Sequence, residues 1–427
     1  MIISFIIIFS LLLCSGMPIF LTLGLTSITM LIFFSHVPAV MVPEVMYNSL
    51  GGFTLLAIPF FTVAAQFMTQ GGVSRHLINA INCYVGHWRG GLAIACVFTC
   101  MFFAAICGSS VATALSIGII VVPAMAQRGY SLSFATGVVA SSGTMGIMIP
   151  PSISLILFGI ITEQSIPRLF LGGVLPGILE GGLYIAWICY YARRKNYGGS
   201  KKVSFKKATS TTLKALPALS LPIIVLGGIY SGIVTVTEAA ALAAGAAIIV
   251  ALFIYREVKF NNILNVFADG MKSAGMIMII IASASVFGHW ITHAGIPAQL
   301  VTNVKSLNLQ PWMFLLFCNF LFLFLGMFLE VVSIMLITLP ILLPTIIELG
   351  IDPIHFGVMM VVNMEVALIT PPVGLNLFVL SGVANVPLKE VVRGAFPFML
   401  LGLLEIALVT YIPEIVTFLP NLLMGPG

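Results

Sequence analysis

Gly108, Ser109, Ser110 and Thr113 place a turn, hydroxyls and open carbonyls inside the long apolar run Gly91–Gln127. Neutral oxygens of this kind suit a hard monovalent cation. Na+ is the plausible one, because the dense carboxylate sets that hold Ca2+ or Mg2+ are absent from the sequence. Ser141, Ser142, Gly143, Thr144 and Gly146 follow, just before Pro150 and Pro151, and are expected to face that turn. A second set lies further on. Glu330 and Ser333 interrupt the run Trp312–Ile347, and Asn363, Glu365, Thr370, Pro371, Gly374 and Asn376 would face them. A carboxylate within an apolar segment is costly and marks a functional candidate. Glu330 reads as a cation ligand, a gate residue or a residue that reaches water at a tip. The plainer account of the first set is a tight turn whose small residues let helices approach.

Positioning such groups requires two interrupted helices. Adjacent prolines remove backbone donors and clash with the preceding turn. In a bilayer the freed carbonyls must be buried or line a wet cavity. Pro150-Pro151 and Pro371-Pro372 supply two such breaks, 221 positions apart. The same shift carries Pro123 onto Pro344, Gly129 onto Gly350, Gly173 onto Gly394, Pro176 onto Pro397 and Gly181 onto Gly402. The halves are therefore repeats, and broken helices at matching places in two halves point to a transporter binding site.

Composition agrees. Of 427 residues 60% are hydrophobic and 7% charged, and mean hydropathy is +1.16. Soluble domains carry about 25% charged residues, so the chain reads as an all-α polytopic membrane protein. The net charge of +5 sits in loops and does not imply nucleic acid. The seven cysteines show no metal-ligand spacing. The apolar start, without a basic region, reads as a first span rather than a cleaved signal.

Spans are expected at Ile2–Ser15, Pro18–Ser35, Thr54–Thr69, Leu169–Tyr191, Ala218–Val234, Ala239–Tyr255, Ser273–Ile291 and Gly394–Tyr411, with a loop after Ser35. Broken helices are expected at Phe134–Thr162 and Phe356–Ser381. Val73–Trp88, Ser204–Leu216 and Asn261–Ala268 read as interfacial pieces. Gly91–Gln127 and Trp312–Ile347 are each either two crossings or a re-entrant hairpin. Tips without basic anchors favour re-entrance. Each half then has five crossings, an odd number, so the second half is inverted. Arg193–Lys214, with eight basic residues and no acid, belongs in the cytoplasm. Sixteen of the eighteen Lys and Arg then fall inside, with Arg168 and Lys305 outside.

Glu180 and Glu405 read as contacts between domains or subunits. His289 and His293 are four apart, a spacing metals use, but lack a third ligand. No enzyme signature is present. No Lys or Arg falls in the hydrocarbon, so an anionic substrate would rest on half-helix N-termini, hydroxyls and amides, or on basic residues near an entrance.

Gly16-Met-Pro18, Ile58-Pro-Phe-Phe61, Cys107-Gly-Ser-Ser-Val-Ala-Thr113, Gly146-Ile-Met-Ile-Pro-Pro151 and Thr370-Pro-Pro-Val-Gly374 together carry a resemblance over essentially the whole chain. The chain resembles the large membrane subunit of tripartite ATP-independent periplasmic (TRAP) transporters, the DctM/SiaM-like family. The resemblance implies a multi-pass permease of the bacterial inner membrane. It would be an elevator-type, Na+-driven transporter of organic acids such as C4-dicarboxylates or sialic acid. It also implies a four-helix DctQ/SiaQ-like small membrane subunit, expected as a separate polypeptide, and a periplasmic DctP/SiaP-like binding protein.

Carried onto this sequence, one Na+ site would use Gly108, Ser109, Ser110, Thr113, Thr144, Gly146 and Pro150. The other would use Glu330, Ser333, Thr370, Pro371 and Gly374. Substrate contacts are expected at Ser110, Ser154, Asn376 and His293. The expected division is a transport unit of residues 91–163 and 311–386 and a scaffold of residues 1–90, 164–310 and 387–427. A two-component Na+/carboxylate symporter acting without a binding protein is the alternative. A membrane-embedded enzyme or a structural subunit would be a different class.

Overall fold

The computed structural model describes residues 2–34, 38 and 40–425. Helices α1 (Ile2–Cys14) and α2 (Ile19–Phe34) turn at Gly16-Met-Pro18 as expected. Ser35, the expected end of the second span, lies outside the described residues. The expected loop contains α3 (Met41–Leu50). Gly51-Gly52 and a short 3-10 turn then lead into α4 (Ala57–Gln70), and α5 (Val73–Val85) is the amphipathic piece. The two legs of the first hairpin are α6 (Gly91–Cys107) and α7 (Ser110–Gln127). The first broken helix is α8 (Leu132–Thr144) and α9 (Ile153–Thr162), followed by the long α10 (Ile166–Arg194).

The second half begins with α11 (Phe205–Tyr230), α12 (Val236–Ile249, continued as a π turn to Ile254), α13 (Ile263–His293) and α14 (Ile296–Ser306). The second hairpin is α15 (Pro311–Gly326) and α16 (Val331–Glu348), and the second broken helix is α17 (Pro353–Ala367) and α18 (Leu375–Ala384). The described chain ends with α19 (Leu388–Tyr411) and α20 (Glu414–Met424). Among the described residues, eight helices are long and apolar enough to cross a membrane. Large apolar side chains such as Ile178, Ile223 and Leu242 face outward on them, as lipid-facing surfaces require.

The shift of 221 holds at the level of elements. Moved by it, α7 lands on α16 residue for residue, α6 on α15, α8 on α17 and α9 on α18. Where the halves differ, one or two local residues differ. The sequence reading separated Asn261–Ala268 from Ser273–Ile291, but α13 runs through both. Its first-half counterpart is cut at Gly51-Gly52, and the second half has Lys272-Ser273 at the equivalent place. Likewise α10 is continuous where its counterpart is cut at Pro413, because the first half has Ala192 there. The pieces Ser204–Leu216 and Ala218–Val234 also join, as α11, with Pro217 and Pro222 carried inside the helix.

Two further helices pack around the hairpins and broken helices. Helix α10 packs on α6, α9, α17, α19 and α20, and α19 packs on α8, α10, α15, α17 and α18. Both thus sit with the hairpins and broken helices, not with α2–α4 and α11–α13. Small residues make this possible. Gly137 of α8 and Gly394 of α19 meet backbone to backbone, and a Cβ on either would fall on the other strand of main chain.

Candidate substrate and cation site

The first tip is built by two residues. Gly108 ends α6 in the left-handed conformation (φ +61°). Ser109 is extended and caps α7, its hydroxyl accepting from the Ala112 N–H at 3.5 Å. The Thr113 hydroxyl donates to the Ser109 carbonyl at 2.7 Å. The broken helix rides on this tip at Gly146. A Cβ there would lie 2.6 Å from the Ser109 oxygen and 2.9 Å from Thr113 Oγ1. Only glycine admits so close an approach, which brings Ser109, Thr113 and Gly146 together as the sequence implied. Past the break, Ser152 caps α9: its hydroxyl accepts from the Leu155 N–H at 3.3 Å and donates to the Ile147 carbonyl. Sequence reasoning did not single out Ser152 as a cap, although a serine just before an apolar helix is a cap signal.

In the second half Glu330 occupies the cap position of α16 without a side-chain cap bond. Ser333 is fully buried and its hydroxyl has no partner, like those of Ser141 and Ser142. The Thr370 hydroxyl donates to the Val366 carbonyl at 2.6 Å, and Gly374 (φ +56°) packs on the Thr370 carbonyl. Pro371 and Pro372 are joined by a cis peptide, as are Pro150 and Pro151.

A cavity of about 130 Å³ lies where the halves meet. Both tips line it through Gly108–Ser110 and Glu330–Val332. So do Ile153 and Ser154 of α9 and Leu375 of α18, with Gln66 of α4 and Ser273 of α13 closing the other side. The first residues of four helices, Ser110, Ile153, Val331 and Leu375, therefore open onto one space. No lysine or arginine is among its lining residues. Each N-terminus carries the positive end of a helix dipole, so the cavity can hold an anion without a basic side chain.

Three expected site residues lie elsewhere. Thr144 Oγ1 donates to the Ser141 carbonyl at 2.6 Å and lies 3.4 Å from Glu180 Oε1, so it belongs to a buried polar cluster rather than to the tip. Asn376 is fully buried and donates to the Ala140 carbonyl at 3.1 Å instead of lining the cavity. His293 is exposed at the end of α13, its ring 4.5 Å from that of His289, and neither lines the cavity. Among the described residues no set of three His, Cys, Asp or Glu is placed to hold a metal. Ser110 and Ser154 do line the cavity.

Glu180, expected at a domain or subunit contact, is buried beside Tyr184, and Glu365 and Glu405 are buried within electrostatic reach of it. The sequence held a signal for this cluster, since the shift of 221 carries Thr144 onto Glu365 and Tyr184 onto Glu405.

Residues 6–415 match the family model described as tripartite ATP-independent periplasmic transporter, DctM component. The chain is 45% identical over 400 residues to the C4-dicarboxylate TRAP transporter large permease protein DctM of Pseudomonas aeruginosa, covering 94% of each. It is 38% identical over 411 residues to the isethionate TRAP transporter permease protein DctMQ of Oleidesulfovibrio alaskensis, covering 96% of this chain and 65% of that one. Among solved structures, the YdaH transporter of Alcanivorax borkumensis superposes with a TM-score of 0.64 at 14% identity, covering 87% of this chain and 86% of that one. That likeness speaks to the fold alone.

Proposed function

Because the chain belongs to the DctM-component family of tripartite ATP-independent periplasmic transporters, we propose that it imports an organic acid by Na+-coupled, elevator-type movement. One observation carries this reading: four helix N-termini open onto a single cavity that has hydroxyls but no basic side chain. Such a cavity suits a small carboxylate held by main-chain N–H groups. The C4-dicarboxylate class is favoured, in line with the name of the Pseudomonas aeruginosa relative.

Na+ fits the tips. In the first, Gly108, Ser109, Ser110, Thr113, Gly146 and Pro150 would offer carbonyl and hydroxyl oxygens around the cradle that Gly146 leaves open. In the second, Glu330, Ser333, Thr370, Pro371 and Gly374 would do so, and the Ser333 hydroxyl has no protein partner to give up. Ions there would fix the tips and so the helix N-termini that receive the substrate, joining the two binding energies. Two inverted repeats would give the two access states. The moving unit would comprise α6–α10 and α15–α20, and α1–α5 with α11–α14 would stay with the bilayer. A DctQ/SiaQ-like small membrane subunit and a DctP/SiaP-like periplasmic binding protein would complete the system in the bacterial inner membrane.

Uptake of labelled C4-dicarboxylates into proteoliposomes tests the proposal. Uptake that needs an inward Na+ gradient, the small subunit and the binding protein is expected. Uptake by this chain alone would replace the reading with a two-component symporter. Uptake that follows a pH gradient and ignores Na+ would remove the cation sites.

A further inference from the structure

A second cavity, of about 320 Å³, lies between the start of α8, the end of α10, Tyr197 and the start of α19. Lys195, Arg393 and Glu390 line it, and none of the three makes an ion pair among the described residues. Trp187 lines it too, and its indole N–H is buried without a hydrogen-bond partner. Such a donor is costly to leave empty.

The walls are aromatic. The Tyr191 ring lies 4.7 Å from that of Phe134 and 6.0 Å from that of Trp187. Tyr197 is held by its hydroxyl, which accepts from the Ser131 N–H at 3.2 Å. Helix α10 ends here with Arg193 and Arg194 in its last turn. Aromatic rings beside Lys and Arg at a span end mark the level of lipid headgroups. Two cations line a space shared with one carboxylate, with the unpartnered Trp187 N–H buried in its wall, a pattern that matches a zwitterion rather than a plain anion.

We propose that this cavity binds the headgroup of a phosphoethanolamine lipid. Its phosphate would sit on Lys195, Arg393 and the Trp187 N–H, and its ammonium on Glu390. The lipid would tie together the ends of α8, α10 and α19.

The test is native mass spectrometry of the full chain in detergent, offered phosphatidylethanolamine, phosphatidylglycerol or phosphatidylcholine in turn. The expected result is one retained phosphatidylethanolamine, preferred roughly tenfold over the other two. Lys195→Ala with Arg393→Ala should abolish retention, and Trp187→Phe, which keeps the ring, should lower it several-fold. Glu390→Gln should remove the preference over phosphatidylglycerol. That variant leaves intact the Glu390 main-chain carbonyl on which Ser133 Oγ rests at 2.8 Å, so it reads out selectivity in a folded protein. Equal retention of phosphatidylglycerol by the unaltered chain, or unchanged retention in the variants, would overturn the assignment. Displacement of the lipid by an equal concentration of soluble O-phosphoethanolamine would overturn the lipid as the occupant.

Discussion

The side-chain amide of Asn376, on α18, donates to the main-chain carbonyl of Ala140, on α8, across 236 positions of sequence. The same residue's main-chain N–H donates to the Leu368 carbonyl at 3.1 Å, spanning the Pro371-Pro372 break. One asparagine thus closes its own interrupted helix and fastens it to the interrupted helix of the other half. Asn376→Leu would leave the buried pairing broken, at a cost of about 1–3 kcal/mol. The expected result is a lower melting temperature in detergent. A loss of substrate affinity at unchanged melting temperature would instead make Asn376 a substrate contact.

Gly146→Ala would press a methyl group against the Ser109 carbonyl and Thr113 Oγ1. Overpacking of this kind costs about 1–3 kcal/mol, so Na+ affinity should fall by about tenfold or more. Gly182→Ala is the control, since a Cβ there meets nothing within 4 Å. Half-saturating Na+ in uptake assays measures both, and equal values for the two variants would clear the first tip of a cation role.

Thr113→Val deletes the hydroxyl that bonds the Ser109 carbonyl while keeping the branched shape. A several-fold rise in half-saturating Na+ is expected, with recovery in Thr113→Ser. If Val and Ser behave alike, the hydroxyl does not act at the ion.

Val331 is the first residue of α16 and lines the cavity. Proline is accepted at a first helical position and removes only an N–H. Val331→Pro should therefore weaken substrate binding by roughly tenfold, the scale of a hydrogen bond to a charged group, at unchanged half-saturating Na+. Unaltered substrate affinity would show that this helix end does not meet the anion.

His76 lies on α5, outside the candidate spans, with its ring 4.0 Å from that of Tyr255. Burial holds it below its ordinary value of 6.5, with Glu257 opposing and Arg75 and Lys214 adding to the effect. The unfolded chain therefore takes up a proton that the fold resists. Stability is kept above about 6.5 and declines as pH falls below it. His76→Phe keeps the stack and should flatten this part of the curve of melting temperature against pH. A curve of unchanged slope would assign the acid loss to another group.

Much of the architecture was legible in one dimension. Apolar runs and paired prolines placed the hairpins and broken helices, because a break in a membrane helix needs residues that remove donors, and such residues are visible in one dimension. The shift of 221 joined Pro150 to Pro371 and, unnoticed, Thr144 to Glu365. Which groups meet was set by packing in three dimensions. Asn376 and Thr144 carry the same polar atoms wherever they point, yet one binds Ala140 and the other turns toward Glu180. The joining of α13 and the placing of α10 and α19 beside the broken helices were also beyond local reading. A span's sequence says that it must be covered, whereas its neighbour is chosen by close contacts such as Gly137 against Gly394. Such contacts form between residues far apart in the chain, and neither composition nor spacing records them.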